Sequence, residues 1–330
     1  MKGKFLLVFC FVSLQLFAQN DTTVVDISKE LNAKKSWDDQ PELKIFYGQR
    51  LINANTVEVL HKGVMEFRVI HNFEDIAGEN GGVKNFFGLD NAADIKISFQ
   101  VGLGNKLNIV GARTRGDQGS AGDDQIRVGP VQQLWELGLK YQFMKQVEHD
   151  PKHAFSLTGY VNTVVSTMDS IGGSYKESSF EDFSERFSEV VQVMIARRFG
   201  NVSLQLSPTY VYTNYVVPGP DDRNLFALGA GVRLPLSKKI FIIADYFHTF
   251  RSKQSTDYLK SHNIHLYDAL GVGIEIVTQG HVFHMNFTNA RSILENRFVP
   301  RTYTSWGDGQ YRWGFTIARD FQIFRDKKNK

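Results

Sequence analysis

The sequence predicts an all-β fold, an antiparallel transmembrane β-barrel of about twelve strands. Three observations predict it: segments alternating apolar and polar side chains recur from Gly63 to Phe324, the connections between them alternate in length, and aromatic residues gather near both ends of the segments. A strand sends successive side chains to opposite faces, so such a segment has one greasy and one wet face. The clearest unit is VSLQLSPTYVYT (202–213). There Val202, Leu204, Leu206, Pro208, Tyr210 and Tyr212 share one face, and Ser203, Gln205, Ser207, Thr209, Val211 and Thr213 the other.

The chain opens with a basic Met1-Lys-Gly-Lys4, an apolar core from Phe5 to Phe17, and Ala18-Gln19, the layout of a secretory signal over 1–19. Its core is shorter than the roughly 20 residues a spanning helix needs. Cys10, the only cysteine, lies inside it, so the exported chain would carry no disulfide, thiolate chemistry or Cys-based metal site. No later apolar run is long enough for a spanning helix. A membrane protein of this sequence must therefore cross as a closed barrel, which satisfies every backbone polar group in lipid. The formal charge of +3, with no basic cluster besides the terminal RDKKNK (325–330), argues against a nucleic-acid partner.

Residues 20–60 are expected to be an N-terminal periplasmic segment. Its first half is polar, whereas LKIFYGQRLINANTVEVL (43–60) is more ordered in character and would suit a plug, a latch across the inner mouth or an extra strand. The barrel is expected over 61–324, with strands near 64–73, 92–103, 105–113, 132–143, 153–165, 186–198, 201–213, 224–235, 239–250, 266–277, 280–288 and 310–324. Most are close to the roughly 9–11 residues that a tilted strand uses to cross a bilayer. In 92–103, Ile95, Ile97, Phe99, Val101 and Leu103 oppose Lys96, Ser98, Gln100 and Gly102. In 132–143, Trp135, Leu137, Leu139, Tyr141 and Phe143 oppose Glu136, Gly138, Lys140 and Gln142. The segments 64–73, 105–113 and 239–250 are ragged, and Asp245 has no evident partner. Pro208 has no N–H for a ladder, so a bulge or kink is expected there.

Short connections at Leu103-Gly-Asn-Lys, Phe199-Gly-Asn, Leu236-Ser-Lys-Lys and Thr278-Gln-Gly-His alternate with longer ones, the pattern of periplasmic turns and external loops in outer-membrane barrels. That topology puts Trp135, Tyr210, Tyr212, Tyr311 and Trp313 near the external ends of their strands and Tyr141 near a periplasmic end, the two girdles that bilayer interfaces select.

The inner face would carry Glu66, Arg68, Lys96, Glu136, Lys140, Arg233, Glu275, His284 and Arg312, joined by Arg198 and Asn286. These suit either a selectivity lining for solutes or a paired network filling a narrow lumen. Inward glycines, among them Gly231 and Gly271, would leave room or serve curvature. No catalytic residue, metal site or cofactor is expected. His281 and His284 fall on opposite strand faces, and His262 and His265 read as loop histidines. The acidic loops 116–124 and 217–222 lack the spacing of a known calcium site.

Three stretches resemble a known family: GQRLINANTVEVLHKGVMEFRVIHNF (48–73), NFFGLDNAADIKISFQVGLGNKLNI (85–109), and GHVFHMNFTNARSILENRFVP with SWGDGQYRWGF (280–315). It is a family of predicted outer-membrane β-barrel proteins of unknown function from Gram-negative bacteria of the gliding and gut-anaerobe group. IARRF (195–199), LQLSPTYV (204–211) and FALGAGVR (226–233) fit it too. The resemblance implies a barrel in the outer membrane and transfers no functional residue. The first functional expectation is a passive or weakly selective channel for small solutes. The alternative is a closed barrel acting as a structural or interaction module, meeting a protein partner through external loops or residues 20–60. An outer-membrane lipid hydrolase comes third, on fold analogy alone. Outer-membrane lipid is the expected surrounding in every case.

Overall fold

The computed structural model describes residues 43–78, 81–116, 132–148, 150–172, 178–216 and 221–324. The expected signal segment, residues 20–42, most of the loop 116–124 and the basic tail lie outside the described residues.

Twelve strands form: β1 (Val64–Asp75), β2 (Ala92–Gly102), β3 (Leu107–Gly116), β4 (Gln132–Met144), β5 (Ser156–Ser166), β6 (Phe187–Phe199), β7 (Val202–Thr213), β8 (Asn224–Pro235), β9 (Ile240–Phe250), β10 (Ala269–Thr278), β11 (His281–Thr288) and β12 (Arg312–Gln322). Each pairs antiparallel with its neighbours in sequence, and β1 pairs with β12 from Val64↔Gln322 to Asn72↔Gly314, closing the barrel. Closure leaves no strand edge unpaired.

Alternation sets the two faces. In β7, Ser203, Gln205, Ser207 and Thr209 are buried inward while Leu204 and Leu206 are exposed outward. Leu137, Leu139, Val161, Val191, Val193, Ile195, Leu228 and Ile274 join them in an apolar outer belt. The ragged segments have a physical cause: their inward faces are partly apolar too. β9 buries Phe241, Ile243 and Phe247 inward, β3 buries Val110 and Ala112, and β1 buries Ile70. Those side chains meet other protein rather than water.

Pro208 produces no bulge. The β6–β7 ladder runs Gln192↔Thr209, omits the pairs opposite Pro208 and Ser207, and resumes at Ile195↔Leu206 in the same register. The missing N–H interrupts one ladder and leaves the other, Pro208↔Leu228, intact.

The short connections bring β2 to β3, β6 to β7, β8 to β9 and β10 to β11 at one end, and the longer ones lie at the other. Among the described residues, two of the longer ones contain α-helices that strand periodicity cannot signal. Helix α1 (Lys253–Ser261) is capped by Ser252, whose Oγ accepts the Ser255 N–H. The single turn α2 (Glu295–Phe298) lies in the connection between β11 and β12.

A finger and an inward loop fill the barrel

Residues 43–60 double back on themselves inside the barrel. The Leu51 N–H donates to the Ala54 carbonyl (2.8 Å) and the Thr56 N–H to the Gln49 carbonyl (3.0 Å), with Arg50 and Asn55 bridged between them. At the base, Glu58 Oε1 accepts the N–H groups of Ile45 (2.9 Å) and Phe46 (3.0 Å). This finger carries Ile45, Phe46, Leu51, Ile52 and Val57 into an apolar cluster with Val110, Tyr160, Met194, Ala196 and Ile243 of the wall. Val110 of β3 and Ile243 and Phe241 of β9 therefore have partners in the finger.

Polar wall residues take the finger's backbone. Asp245 Oδ2 accepts the N–H groups of Ile52 (2.9 Å), Asn53 (2.6 Å) and Ala54 (2.9 Å), and its Oδ1 accepts Asn53 Nδ2 (2.9 Å). A buried carboxylate is thus held by four donors, and charge-assisted bonds of this kind are about twice as strong as neutral ones. Gln205 Oε1 accepts the Val57 N–H at 3.0 Å, Thr158 Oγ1 donates to the Val57 carbonyl at 2.7 Å, and Asn108 exchanges two bonds with the Leu60 backbone.

Two glycines make room for the tip. A Cβ added at Gly231 would stand 2.6 Å from Leu51 Cδ1, and one at Gly271 would stand 2.7 Å from Ile52 Cγ2. Gly231→Val and Gly271→Val are each expected to cost about 1–3 kcal/mol by overpacking. Limited proteolysis checks this: cleavage within residues 43–60 should accelerate in both variants while the barrel strands stay protected. Unchanged cleavage would show that the finger does not abut these walls.

The connection between β11 and β12 folds inward from the other end. Ile293, Leu294, Phe298 and Val299 are buried; Phe298 packs edge-on to Phe247 with centroids 5.1 Å apart, and Leu294 packs with Leu134 and Val164. The Ile293 N–H donates to Asp94 Oδ2 at 2.8 Å, and Asn296 Nδ2 donates to the Ser188 carbonyl at 3.0 Å. The two fillings meet at Arg50. Its Nη1 lies 2.9 Å from Glu295 Oε1, its Nη2 donates to the Ile293 (2.7 Å) and Asn53 (2.5 Å) carbonyls, and Asn55 Nδ2 reaches the same Glu295 oxygen at 3.0 Å.

The eight charged residues and His284 singled out from the sequence each expose at most 5% of their surface. They fall into separate groups. Lys96 pairs with Glu136 (2.5 Å), which also accepts Asn162 Nδ2 (2.9 Å) and the Tyr160 hydroxyl. Arg233 Nε donates to Glu275 Oε1 (2.6 Å), His284 Nε2 lies 3.2 Å from Glu275 Oε2, and the Arg233 guanidinium stacks 3.3 Å from the Phe241 ring centroid. Arg68 forks onto Glu66 at 2.9 and 3.0 Å, and Arg312 pairs with Asp75 at 2.5 Å. Lys140 Nζ donates to Gln49 Oε1 of the finger at 3.1 Å. Asn286 is buried among them. Arg198 is not: it sits at the strand end, with Nη1 on the Lys44 carbonyl at 3.1 Å.

The aromatic candidates differ in exposure. Trp135 and Tyr141 stand exposed outward, the first beneath the Arg113 guanidinium and the second edge-on to Phe143. Tyr210, Tyr212, Tyr311 and Trp313 are half-buried. Tyr210 packs on Phe226, Tyr311 stacks on Trp306 at 4.5 Å, and Trp313 packs on Phe287 at 4.3 Å.

Among the described residues no three His, Cys, Asp or Glu side chains group as metal ligands. Asp221 is instead held between Arg251 and Arg301, and Asp222 accepts from Ser252. Ser261 Oγ lies 3.1 Å from His262 Nδ1, but that nitrogen also lies 2.9 Å from the Tyr258 carbonyl. Ser261 Oγ itself donates to the Tyr258 carbonyl at 2.7 Å, which directs the hydroxyl proton to the backbone.

A family model described as "Membrane bound beta barrel domain (DUF5777)" matches residues 46–321. No curated protein matches the chain. Among solved structures, the KdgM porin in complex with disordered oligogalacturonate is similar with a TM-score of 0.45 and 9% identity, covering 78% of this chain and 99% of that one. The NanC porin gives 0.42 and 7%, covering 78% and 100%. The COG4313 outer membrane channel from Pseudomonas putida F1 gives 0.42 and 10%, covering 80% and 98%.

Proposed function

The chain belongs to the membrane bound beta barrel domain family, and on that premise we propose that it is an outer-membrane barrel held shut by its own N-terminal finger. The observation that carries this reading is the meeting of finger and inward loop at Arg50 and Glu295 inside the wall. Residues 1–19 would direct export, the short connections would face the periplasm, and the finger would enter from that side. The eight charged residues and His284 then line a lumen already occupied. Their role is to neutralise one another and to hold the filling, since an unpaired charge there would be costly.

The polar fastening of the finger favours a second reading, a gated channel for small solutes. The charged contacts of the tip centre on one carboxylate, Asp245, and one ion pair, so loss of those bonds would weaken its seat. Withdrawal would also take Arg50 from Glu295 and the Ile293 carbonyl, and with the inward loop loosened in turn, Lys96, Glu136, Lys140, Arg233 and Glu275 would line an aqueous path. Planar-bilayer recording tests both. The intact chain is expected to be silent, and a chain lacking residues 43–59 is expected to give discrete steps. Charge reversal at Lys96 in the shortened chain should change the ion selectivity of those steps. Steady conductance from the intact chain would overturn the closed-barrel reading.

A further inference from the structure

The connection between β1 and β2 holds two phenylalanines in a backbone conformation that bulky residues rarely adopt. Phe86 and Phe87 have φ of 45° and 54°. Left-handed backbone is costly at such residues and persists only where surroundings impose it. Here the surroundings are specific. The Gly82 carbonyl accepts the N–H groups of Asn85 (3.2 Å) and Phe87 (2.8 Å), and the Gly82 N–H donates to the Ile76 carbonyl (2.9 Å). Gly88 lies against the end of β1, where a Cβ would stand 2.3 Å from the Glu74 carbonyl oxygen.

The strain does not hide the rings. Val83 is 80% exposed, Phe86 60%, Phe87 46% and Leu89 37%, and Lys84 is exposed beside them. Burial is the usual reward for ordering phenylalanine, so a strained segment that presents apolar side chains outward lacks a partner among the described residues. The strands that lead into it supply the chemistry of that partner. Gly88 fixes the connection on the end of β1, where half-buried Phe73 packs near Phe315 of β12, and outward Ile97 and Phe99 continue the apolar belt further along β2. The connection between β5 and β6 also exposes a phenylalanine, Phe183, packed edge-on to Phe187 at the start of β6.

We propose that Phe86, Phe87 and Leu89 dip into the outer leaflet as an interfacial lipid anchor, with Lys84 at the level of the anionic headgroups. This rests on the membrane reading of the barrel. Aromatic rings favour the interface, and a lysine beside them reaches lipid phosphate with its ammonium while its stem stays in apolar contact.

Nitroxide labelling in the full chain tests the anchor. In a Cys10→Ser background, Phe87→Cys and Leu89→Cys are labelled separately and reconstituted in phosphatidylcholine vesicles containing phosphatidylglycerol. Leu139→Cys on the belt and Lys260→Cys on α1 serve as references. Leu89→Cys leaves both left-handed residues intact, so a folding defect at position 87 does not decide the outcome. At positions 87 and 89 the ratio of oxygen to nickel-chelate accessibility should exceed that at 260 severalfold and approach that at 139. A ratio at 87 and 89 equal to that at 260, with 139 reading lipid, overturns the anchor and leaves the barrel reading standing. Exclusion of both reagents points to a protein partner or a second copy and also overturns it. A water-like reading at 139 removes the membrane reading and the anchor together.

Discussion

Asp245→Ala is expected to lower the stability of the folded barrel by about 3–5 kcal/mol. The substitution strips the acceptor from the three backbone N–H groups of residues 52–54 and from Asn53 Nδ2. Each buried donor left unsatisfied costs roughly 1–3 kcal/mol, and water entering the vacated space recovers part of the sum. Asp245→Asn keeps one acceptor oxygen and loses the charge, so its cost should fall near half that of alanine. The midpoint of urea unfolding, followed in detergent by the heat-modified shift in electrophoretic mobility, measures both. The alanine variant should also admit transient conductance, since the same bonds pin the tip. A change within about 0.5 kcal/mol would place Asp245 among ordinary tolerated positions.

Arg50→Met is expected to cost about 3–5 kcal/mol, because removing one partner leaves the other charge buried without compensation. Glu295 has no solvent exposure and would keep only the amide of Asn55. Glu295→Leu should cost a similar amount, leaving the guanidinium with the Ile293 and Asn53 carbonyls. The double variant Arg50→Met, Glu295→Leu should recover much of the loss, since an apolar pair of similar volume often replaces a buried ion pair without net cost. A double-mutant cycle isolates the coupling, expected at about 2–3 kcal/mol. Additive effects would mean that finger and loop do not touch. Because the two residues belong to segments entering from opposite ends, the cycle measures contact across the barrel interior.

The wall of this barrel is legible in the sequence because lipid and interior impose opposite demands on alternate residues. Leu204 and Leu206 against Ser203 and Gln205 can be read without a structure, as can the inward placing of Lys96 and Glu136, whereas their pairing across β3 is seen only in the fold. The filling is far less legible. Residues 43–60 have no period because their contacts point to several strands at once, and the donors that satisfy Asp245 lie 191 to 193 positions away in sequence. Their trace in the sequence is indirect: Val110, Ile243 and Phe247 are apolar on a face that should be wet, and Gly231 and Gly271 leave gaps beside them. The loop stretch SILENRFV (292–299) is likewise too apolar for a solvated external loop, and Ile293, Leu294, Phe298 and Val299 prove to be buried. An interior face that breaks alternation toward apolar residues is therefore a sign of protein within a barrel. Pro208 shows the opposite error, since omission of two pairs from one ladder was enough to accommodate it without a register shift.

Cross-linking the finger to the wall tests the occupied interior most directly. Asn53 and Thr288 face each other, with Asn53 Nδ2 3.2 Å from Thr288 Oγ1. In a Cys10→Ser background, Asn53→Cys with Thr288→Cys is expected to form a disulfide under mild oxidation in outer-membrane preparations. The product should migrate differently on denaturing gels and regain its mobility with reductant. Two thiols that instead remain free, and react readily with a bulky water-soluble maleimide while the barrel stays folded, would contradict a finger seated in the barrel.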